Sequence, residues 1–316
     1  MITVAKTAPA DFSSIQSAVN SIQDQTSPEI ILIKSGTYEE KLEINRPNLT
    51  LRGEDVETTI LTLGHGAYDI LENGEKRGTF RSYTLFVNGN NTTVENLTIQ
   101  NSAGDGHIAG QAIAVYADAD MLTFRDCCLL GHQDTLFTGP LPPSEIIPGG
   151  FKGPKEYAPR TNGRQFYDSC YIEGTIDFIF GSATAYFENC EIHSRKLPDG
   201  ESGYVTAPST PKGQKYGYVF NCCNFTSDCH SETVYLGRPW RNFAKAVFID
   251  CELGAHIKKE GFHDWDKAES HETAFFAEYL NYGPGAKHAK RPDWVQHLTE
   301  EEAKEYTRNN ILNTSI

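Results

Sequence analysis

One six-residue pattern returns along this chain and limits what it can fold into. It runs as an apolar or aromatic residue, two residues, a small or apolar residue, one residue, and a further apolar one. The copies are Val94-Glu95-Asn96-Leu97-Thr98-Ile99, Phe124-Arg125-Asp126-Cys127-Cys128-Leu129 and Tyr167-Asp168-Ser169-Cys170-Tyr171-Ile172, then Phe187-Glu188-Asn189-Cys190-Glu191-Ile192. Phe220-Asn221-Cys222-Cys223-Asn224-Phe225 and Phe248-Ile249-Asp250-Cys251-Glu252-Leu253 follow, with a partial copy upstream at Asn48-Leu49-Thr50-Leu51. Counted at the fourth position, the steps are 48, 30, 43, 20, 33 and 28 residues. The fourth and sixth positions point the same way on a strand, and the Asn, Asp or Ser before the fourth is a turn former. A strand returning at such intervals cannot bury its apolar face alone, whereas stacked copies can. The repeat therefore predicts an all-β fold, a right-handed parallel β-helix with like side chains in ladders.

Five of the eight cysteines (Cys127, Cys170, Cys190, Cys223 and Cys251) hold the fourth position, where Cys acts as a small hydrophobe. No Cys-x-x-Cys spacing occurs, so reduced buried thiols are expected rather than disulfides or metal ligands. None of the ten histidines forms a close pair suggestive of a metal site, and His132 is expected to pack or face solvent. Neither metal nor cofactor is expected. At the N-terminus, Ile15, Ala18, Val19 and Ile22 at helical spacing behind Ser13-x-x-Gln16 predict a capping helix over 14–23. Thr299 followed by Glu300-Glu301-Glu302 predicts the start of a C-terminal helix, with acids at its positive end. Residues 137–163 hold six prolines and five glycines. They read as one long loop leaving the solenoid between two coils, a candidate wall for a binding cleft. The whole of 1–316 is expected to form one domain. With 28 Lys+Arg against 42 Asp+Glu, the formal charge is −14, which argues against nucleic acid or an anionic membrane as partner. No apolar run approaches the roughly 20 residues of a membrane span.

The repeat register also aligns two acids. Asp134, in Gly131-His132-Gln133-Asp134, stands seven residues after Cys127, and Asp177, in Gly174-Thr175-Ile176-Asp177, stands seven after Cys170. Neighbouring strands lie roughly 4.8 Å apart, so both side chains should leave one face side by side. Carboxyls held that close titrate as a pair, one tending to keep a proton. An acid beside a carboxylate base is what hydrolysis requires.

These positions lie within motifs that resemble the pectinesterase (pectin methylesterase) family of carbohydrate esterases. The matching stretches are Gly36-Thr37-Tyr38-Glu39-Glu40, Gly110-Gln111-Ala112-Ile113-Ala114-Val115 and Gly131-His132-Gln133-Asp134-Thr135-Leu136. Asp177-Phe178-Ile179-Phe180-Gly181, Leu236-Gly237-Arg238-Pro239-Trp240 and Glu278-Tyr279-Leu280-Asn281-Tyr282-Gly283-Pro284-Gly285-Ala286 follow in the family's order. The resemblance implies a right-handed parallel β-helix that hydrolyses galacturonate methyl esters, releasing methanol without a metal. It implies Asp177 as nucleophile, Asp134 as acid and then base, Gln111 and Gln133 as oxyanion donors, and Arg238 as the cation that keeps Asp177 charged. Gln133 directly precedes Asp134, so on a regular strand the two would face opposite sides. For both to serve, the chain must bend there.

By the same resemblance Trp240 and Phe180 line the groove for sugar rings, with Thr84 as a polar contact. Phe137, a further expected substrate contact, stands where many relatives have tyrosine. Phe178 has the opposite strand parity to Asp177 and is expected in the core, and Trp265 is expected to cap the solenoid, the alternative being a place in the groove lining. The long 137–163 loop is the chief departure from the family's pattern and is expected to overhang the cleft. The expected partner is pectin or a methylated oligogalacturonide, acted on by a monomer. A leaderless chain with reduced thiols favours the cytoplasm, the alternative being a secreted enzyme with its leader removed. The rival reading is a polygalacturonase-like β-helix glycoside hydrolase, whose inverting acids stand roughly 6.5–9.5 Å apart to admit water.

Overall fold

A computed structural model describes residues 1–7 and 9–313. The chain winds into a right-handed parallel β-helix of three sheets, with eleven, eight and seven strands. All named strand pairs are parallel and join successive coils, and they set like on like. Phe124 pairs with Tyr167, Tyr167 with Phe187, Phe187 with Phe220, and Phe220 with Phe248. These rings, the first position of each repeat, form one continuous stack inside the solenoid. Their centroids are 4.5–5.1 Å apart and their planes lie within 10° of parallel. Burying such a ring is worth about 1.5–3 kcal/mol by area alone, so the ladder is a principal source of stability.

The repeat itself is a corner, where a single strand was expected. Its first two residues end a strand of the eleven-stranded sheet, and its last two open one of the eight-stranded sheet. The third position makes the turn in the left-handed region: φ is 52° at Asn96, 50° at Asp126, 53° at Ser169, 53° at Asn189 and 51° at Asp250. Short polar side chains tolerate that region best, which is why Asn, Asp and Ser recur there. The five ladder cysteines follow the corner, each at most 2% exposed. Their thiols point at carbonyls one coil back, such as Cys190 Sγ to the Tyr167 oxygen at 3.4 Å and Cys251 Sγ to that of Phe220 at 3.5 Å. All eight cysteines are free thiols.

The first capping helix spans Ile15–Ser21. Ser14, one residue beyond the expected cap, accepts from the Ser17 N–H, and Glu40 accepts from the N–H groups of Ile15 and Gln16. Its buried face of Ile15, Ala18 and Val19 closes the N-terminal end of the core. Thr299 and Glu302 form a reciprocal capping box at the helix Glu300–Ala303. A second short helix, Arg308–Leu312, packs Ile311 and Leu312 on Tyr186 and Val219 outside the eleven-stranded sheet.

The seven-stranded sheet carries the expected site. Along the axis its strands are Leu42–Ile44, Leu85–Val87, Val115–Ala117, Leu136–Thr138, Ile176–Gly181, Gly203–Pro208 and Val234–Gly237. Strand alternation sends Leu85, Val115, Leu136 and Ile179 inward, and Phe86, Tyr116, Phe137 and Phe180 outward. The outward column forms a second aromatic cluster on the outer face of the sheet.

Candidate active site

Asp134 and Asp177 meet on adjacent coils because Leu136 pairs with Ile179, two residues beyond each acid. The Asp134 N–H donates to the Ile176 carbonyl at 3.1 Å. Neither acid sits in regular strand geometry. Asp134 has φ 65° and Asp177 φ 50°, and the pairing of the Ile176–Gly181 strand shifts register between Ile176 and Ile179. This irregularity lifts the carboxyls out of the pleat at the cost of locally strained backbone. It also removes the parity conflict at Gln133, which lies in a turn where strand alternation does not apply.

Both acids are 7% exposed. Arg238 grips Asp177 through two bonds, Nε to Oδ1 at 2.8 Å and Nη2 to Oδ2 at 2.7 Å. The guanidinium lies between two rings, 3.7 Å from the centroid of Tyr204 and 3.8 Å from that of Trp265, which fixes its plane. Gly237, just before it, lies against Thr206, where a Cβ would stand 2.3 Å from Oγ1. Burial raises the pKa of Asp177, and the bonds and charge of Arg238 oppose that rise. Asp134 is pushed well above the usual carboxylate range, first by burial and then by the charge of Asp177, with Arg238 only partly offsetting. Both influences favour ionisation of Asp177 ahead of Asp134.

The glutamine segments lie beside this pair. The Ala112 N–H donates to the Gln133 carbonyl at 3.0 Å, joining the two segments on neighbouring coils. Gly110, at φ 73°, ends the turn of helix Gly106–Ala109 and leads into Gln111. The Gln133 side chain rests against Gly106, where a Cβ would stand 2.8 Å from its Oε1. Both glutamines are half-buried. His132 is half-buried too, its pKa lowered by burial.

The expected sugar contacts divide. Trp240 is half-buried, 5.7 Å from the Phe180 ring. Phe180 is only 4% exposed, beneath Phe80 and Trp240. Phe137 is 0% exposed, wedged among Phe80, Tyr116 and Phe180. Thr84 is also 0% exposed, and its hydroxyl already donates to the Gln100 carbonyl at 2.9 Å. At Phe137 and Thr84 the expected substrate contact gives way to packing, because neither side chain has a free face. Phe178 sits in the solenoid core as expected.

Trp265 does not cap the solenoid; it lies over Arg238. The turn that carries it is held by the His263 Nδ1, which accepts from the Trp265 N–H at 2.9 Å, and by Asp264 Oδ1, which accepts from the Asp266 N–H at 2.9 Å. His263, Asp264 and Asp266 bring potential ligand atoms within 4.8 Å of one another; of these, His263 Nδ1 and Asp264 Oδ1 take part in those bonds, and Asp264 Oδ2 meets His271 at 3.0 Å. Two further neighbours escaped the sequence reading. Tyr204 is the second face of the Arg238 sandwich. Lys267 bonds the Pro239 and Trp240 carbonyls at 2.9 and 3.2 Å, and its charge also favours ionised Asp177. The register does locate Tyr204, which pairs with Ile176 beside Asp177.

The family model described as Pectinesterase matches residues 1–140 and 157–315. Pectinesterase 31 of Arabidopsis thaliana is 33% identical over 99% of this chain and 92% of its own length. Pectinesterase/pectinesterase inhibitor PPE8B of Prunus persica is 32% identical over 96% of this chain, which spans 55% of that relative. A pectin methylesterase solved in complex with hexasaccharide VII superposes with a TM-score of 0.80 at 28% identity, covering 100% of this chain and 97% of that one. No described helix is long and apolar enough to cross a membrane, and the cytoplasmic expectation finds no support in these comparisons. Two buried acids on adjacent coils, one clamped by a guanidinium, thus stand in a solenoid matched almost end to end, and the chain belongs to the pectinesterase family of carboxylic ester hydrolases.

Proposed function

We propose that this protein is a pectin methylesterase, hydrolysing the methyl ester of galacturonate residues in pectin or its oligomers to carboxylate and methanol. The observation that carries the reading is the division of charge between two buried acids. Asp177 is held by two bonds from Arg238, while Asp134 is raised by burial and by Asp177 itself. The ionised Asp177 oxygen attacks the ester carbonyl, and the amides of Gln111 and Gln133 donate to the tetrahedral oxyanion. As the C–O bond to the methoxy group breaks, Asp134 transfers its proton to the departing oxygen and methanol leaves. The acyl group now sits on Asp177 as a mixed anhydride. Asp134, now charged, takes a proton from water as that water attacks the galacturonyl carbonyl, and Asp177 is released as carboxylate. Trp240 offers an apolar face to a sugar ring. The new carboxylate is an anion on a protein of net charge −14, which favours its departure.

The polygalacturonase alternative is not favoured. The family model that matches is Pectinesterase, and the acids stand on adjacent coils, where strands are roughly 4.8 Å apart against the roughly 6.5–9.5 Å that inverting hydrolysis needs. Methanol release from methyl-esterified oligogalacturonides tests the proposal, and reducing-end formation without methanol would refute it. The same assay has a predicted pH shape. Activity needs Asp177 charged and Asp134 protonated, so it rises with pH through the titration of Asp177 and falls through that of Asp134. Burial lifts Asp177 from 3.8 and Asp134 much further. The acid limb of kcat/KM is therefore expected above pH 3.8, with the alkaline limb separated from it. A profile that declines from pH 4 upward would contradict the assignment.

A further inference from the structure

The family match skips residues 141–156, and that stretch covers part of the aromatic column. Phe151 is 6% exposed, its ring edge-on to Phe80 at 5.7 Å and to Trp240 at 6.3 Å. Phe80 in turn lies over Phe137 at 5.0 Å and Tyr116 at 5.9 Å. Gly153 passes so close to Phe80 that a Cβ would stand 2.6 Å from the Phe80 carbonyl oxygen. Outside these rings, Lys152 Nζ meets Glu75 at 3.0 Å. Arg241, next to Trp240, donates to the Ser144 carbonyl at 3.1 Å. Arg160 ties the base of the stretch by donating to the carbonyls of Pro142, Lys155, Glu156 and Ala158.

The segment around Glu75 and Phe80 and the insert 141–156 therefore meet above the coils of Val115–Ala117 and Leu136–Thr138. On the other side of the acid pair, Tyr204 and Tyr235, on the next two coils, and Trp265 stay half-exposed. We propose that the insert makes the cleft one-ended. A methyl-esterified galacturonan chain enters only from the side of Tyr204, Tyr235 and Trp265, and the ester hydrolysed lies at or next to a chain end. An interior residue of a long polymer needs room on both sides of the acids, and the bridge of Phe80 and Phe151 occupies one of them. This inference rests on the esterase reading and narrows its substrate to short chains and chain ends.

The test compares methanol release from fully methylated trigalacturonide and from highly methylated polymeric pectin, as kcat/KM per ester. The proteins are wild type, Phe151→Ala, Glu75→Ala/Lys152→Ala, and a variant with 141–156 replaced by a short Gly-Ser link, each checked by thermal melting. Wild type is expected to favour the trimer by at least about tenfold. Phe151→Ala and the Gly-Ser replacement should shrink that ratio by about tenfold, with trimer kcat/KM held within about threefold. The surface double variant, which leaves the aromatic packing intact, should move the ratio the same way by about threefold. It carries the test if the other two fail to fold. Equal wild-type rates on both substrates, or an unchanged ratio in the folded variants, overturn the one-ended cleft and leave the esterase intact. Methanol from neither substrate overturns both.

Discussion

Asp177→Asn is expected to lower kcat for methanol release by about 10⁴-fold or more, because the amide has no charge with which to attack the ester. Binding should change far less, with KM held within a few-fold, since the sugar contacts lie on other side chains. The substitution is nearly isosteric, and its Oδ1 can still accept from Arg238. A near-native melting temperature is therefore expected, and the loss of rate can be assigned to chemistry. Initial-rate assays on a methylated oligogalacturonide, with circular dichroism melts, check both halves. A folded Asp177→Asn protein retaining more than about a hundredth of wild-type kcat would remove Asp177 from the nucleophile's role.

Arg238→Ala should show a different signature. The guanidinium bonds both oxygens of Asp177 and is the largest influence opposing burial there. Its loss raises the Asp177 pKa further, so the acid limb of the rate profile moves to higher pH, and kcat/KM falls by about 10²–10³-fold on the acid side. It also leaves a buried carboxyl without its partner, in a pair whose side chains are 15% and 10% exposed. Removing one member of such a pair typically costs about 3–5 kcal/mol. Raising the pH should recover part of the rate. Arg238→Lys keeps the charge but loses the fork and its stacking on Tyr204 and Trp265, so it should fall between wild type and Arg238→Ala. A purely structural arginine would lower the melting temperature without shifting the limb, and the pH profile separates the two roles.

Much of the solenoid was legible because its core repeats in one dimension. A Phe or Tyr at the first repeat position and a Cys at the fourth can recur only if coils stack in register, and the same count carried Asp134 onto Asp177. The motif's local shape was less legible. Six residues with apolar ends read as a strand, and only the positive φ at Asn96, Asp126 and their counterparts shows a corner. The site's walls were least legible, because chain segments far apart in sequence build them. Phe137 and Thr84 carry no sign in their own neighbourhoods that they are covered. Phe80 reaches Phe137 from another coil, and the Thr84 hydroxyl is bound by a carbonyl sixteen residues on. Trp265 was expected at a cap rather than in the groove lining, yet bonds within its turn aim the indole at Arg238. The 137–163 loop was recognisable from its prolines and glycines. That Phe151 anchors it to Trp240 depends on a contact that local sequence does not encode.

The proposed mechanism requires an unequal sharing of protons between two neighbouring carboxyls. The measurement that addresses this most directly is a ¹³C NMR titration of the aspartate side-chain carboxyls in the resting enzyme, with Asp134→Asn and Asp177→Asn proteins used to assign the two resonances. The expected result is that Asp177 deprotonates first and that Asp134 stays protonated well above the usual carboxylate range until a later step. In the Asp177→Asn protein, the Asp134 step should move down, because a neighbouring negative charge is gone. If Asp134 instead ionises at an ordinary carboxylate pH, or before Asp177, no proton is available for the departing methanol, and the mechanism fails.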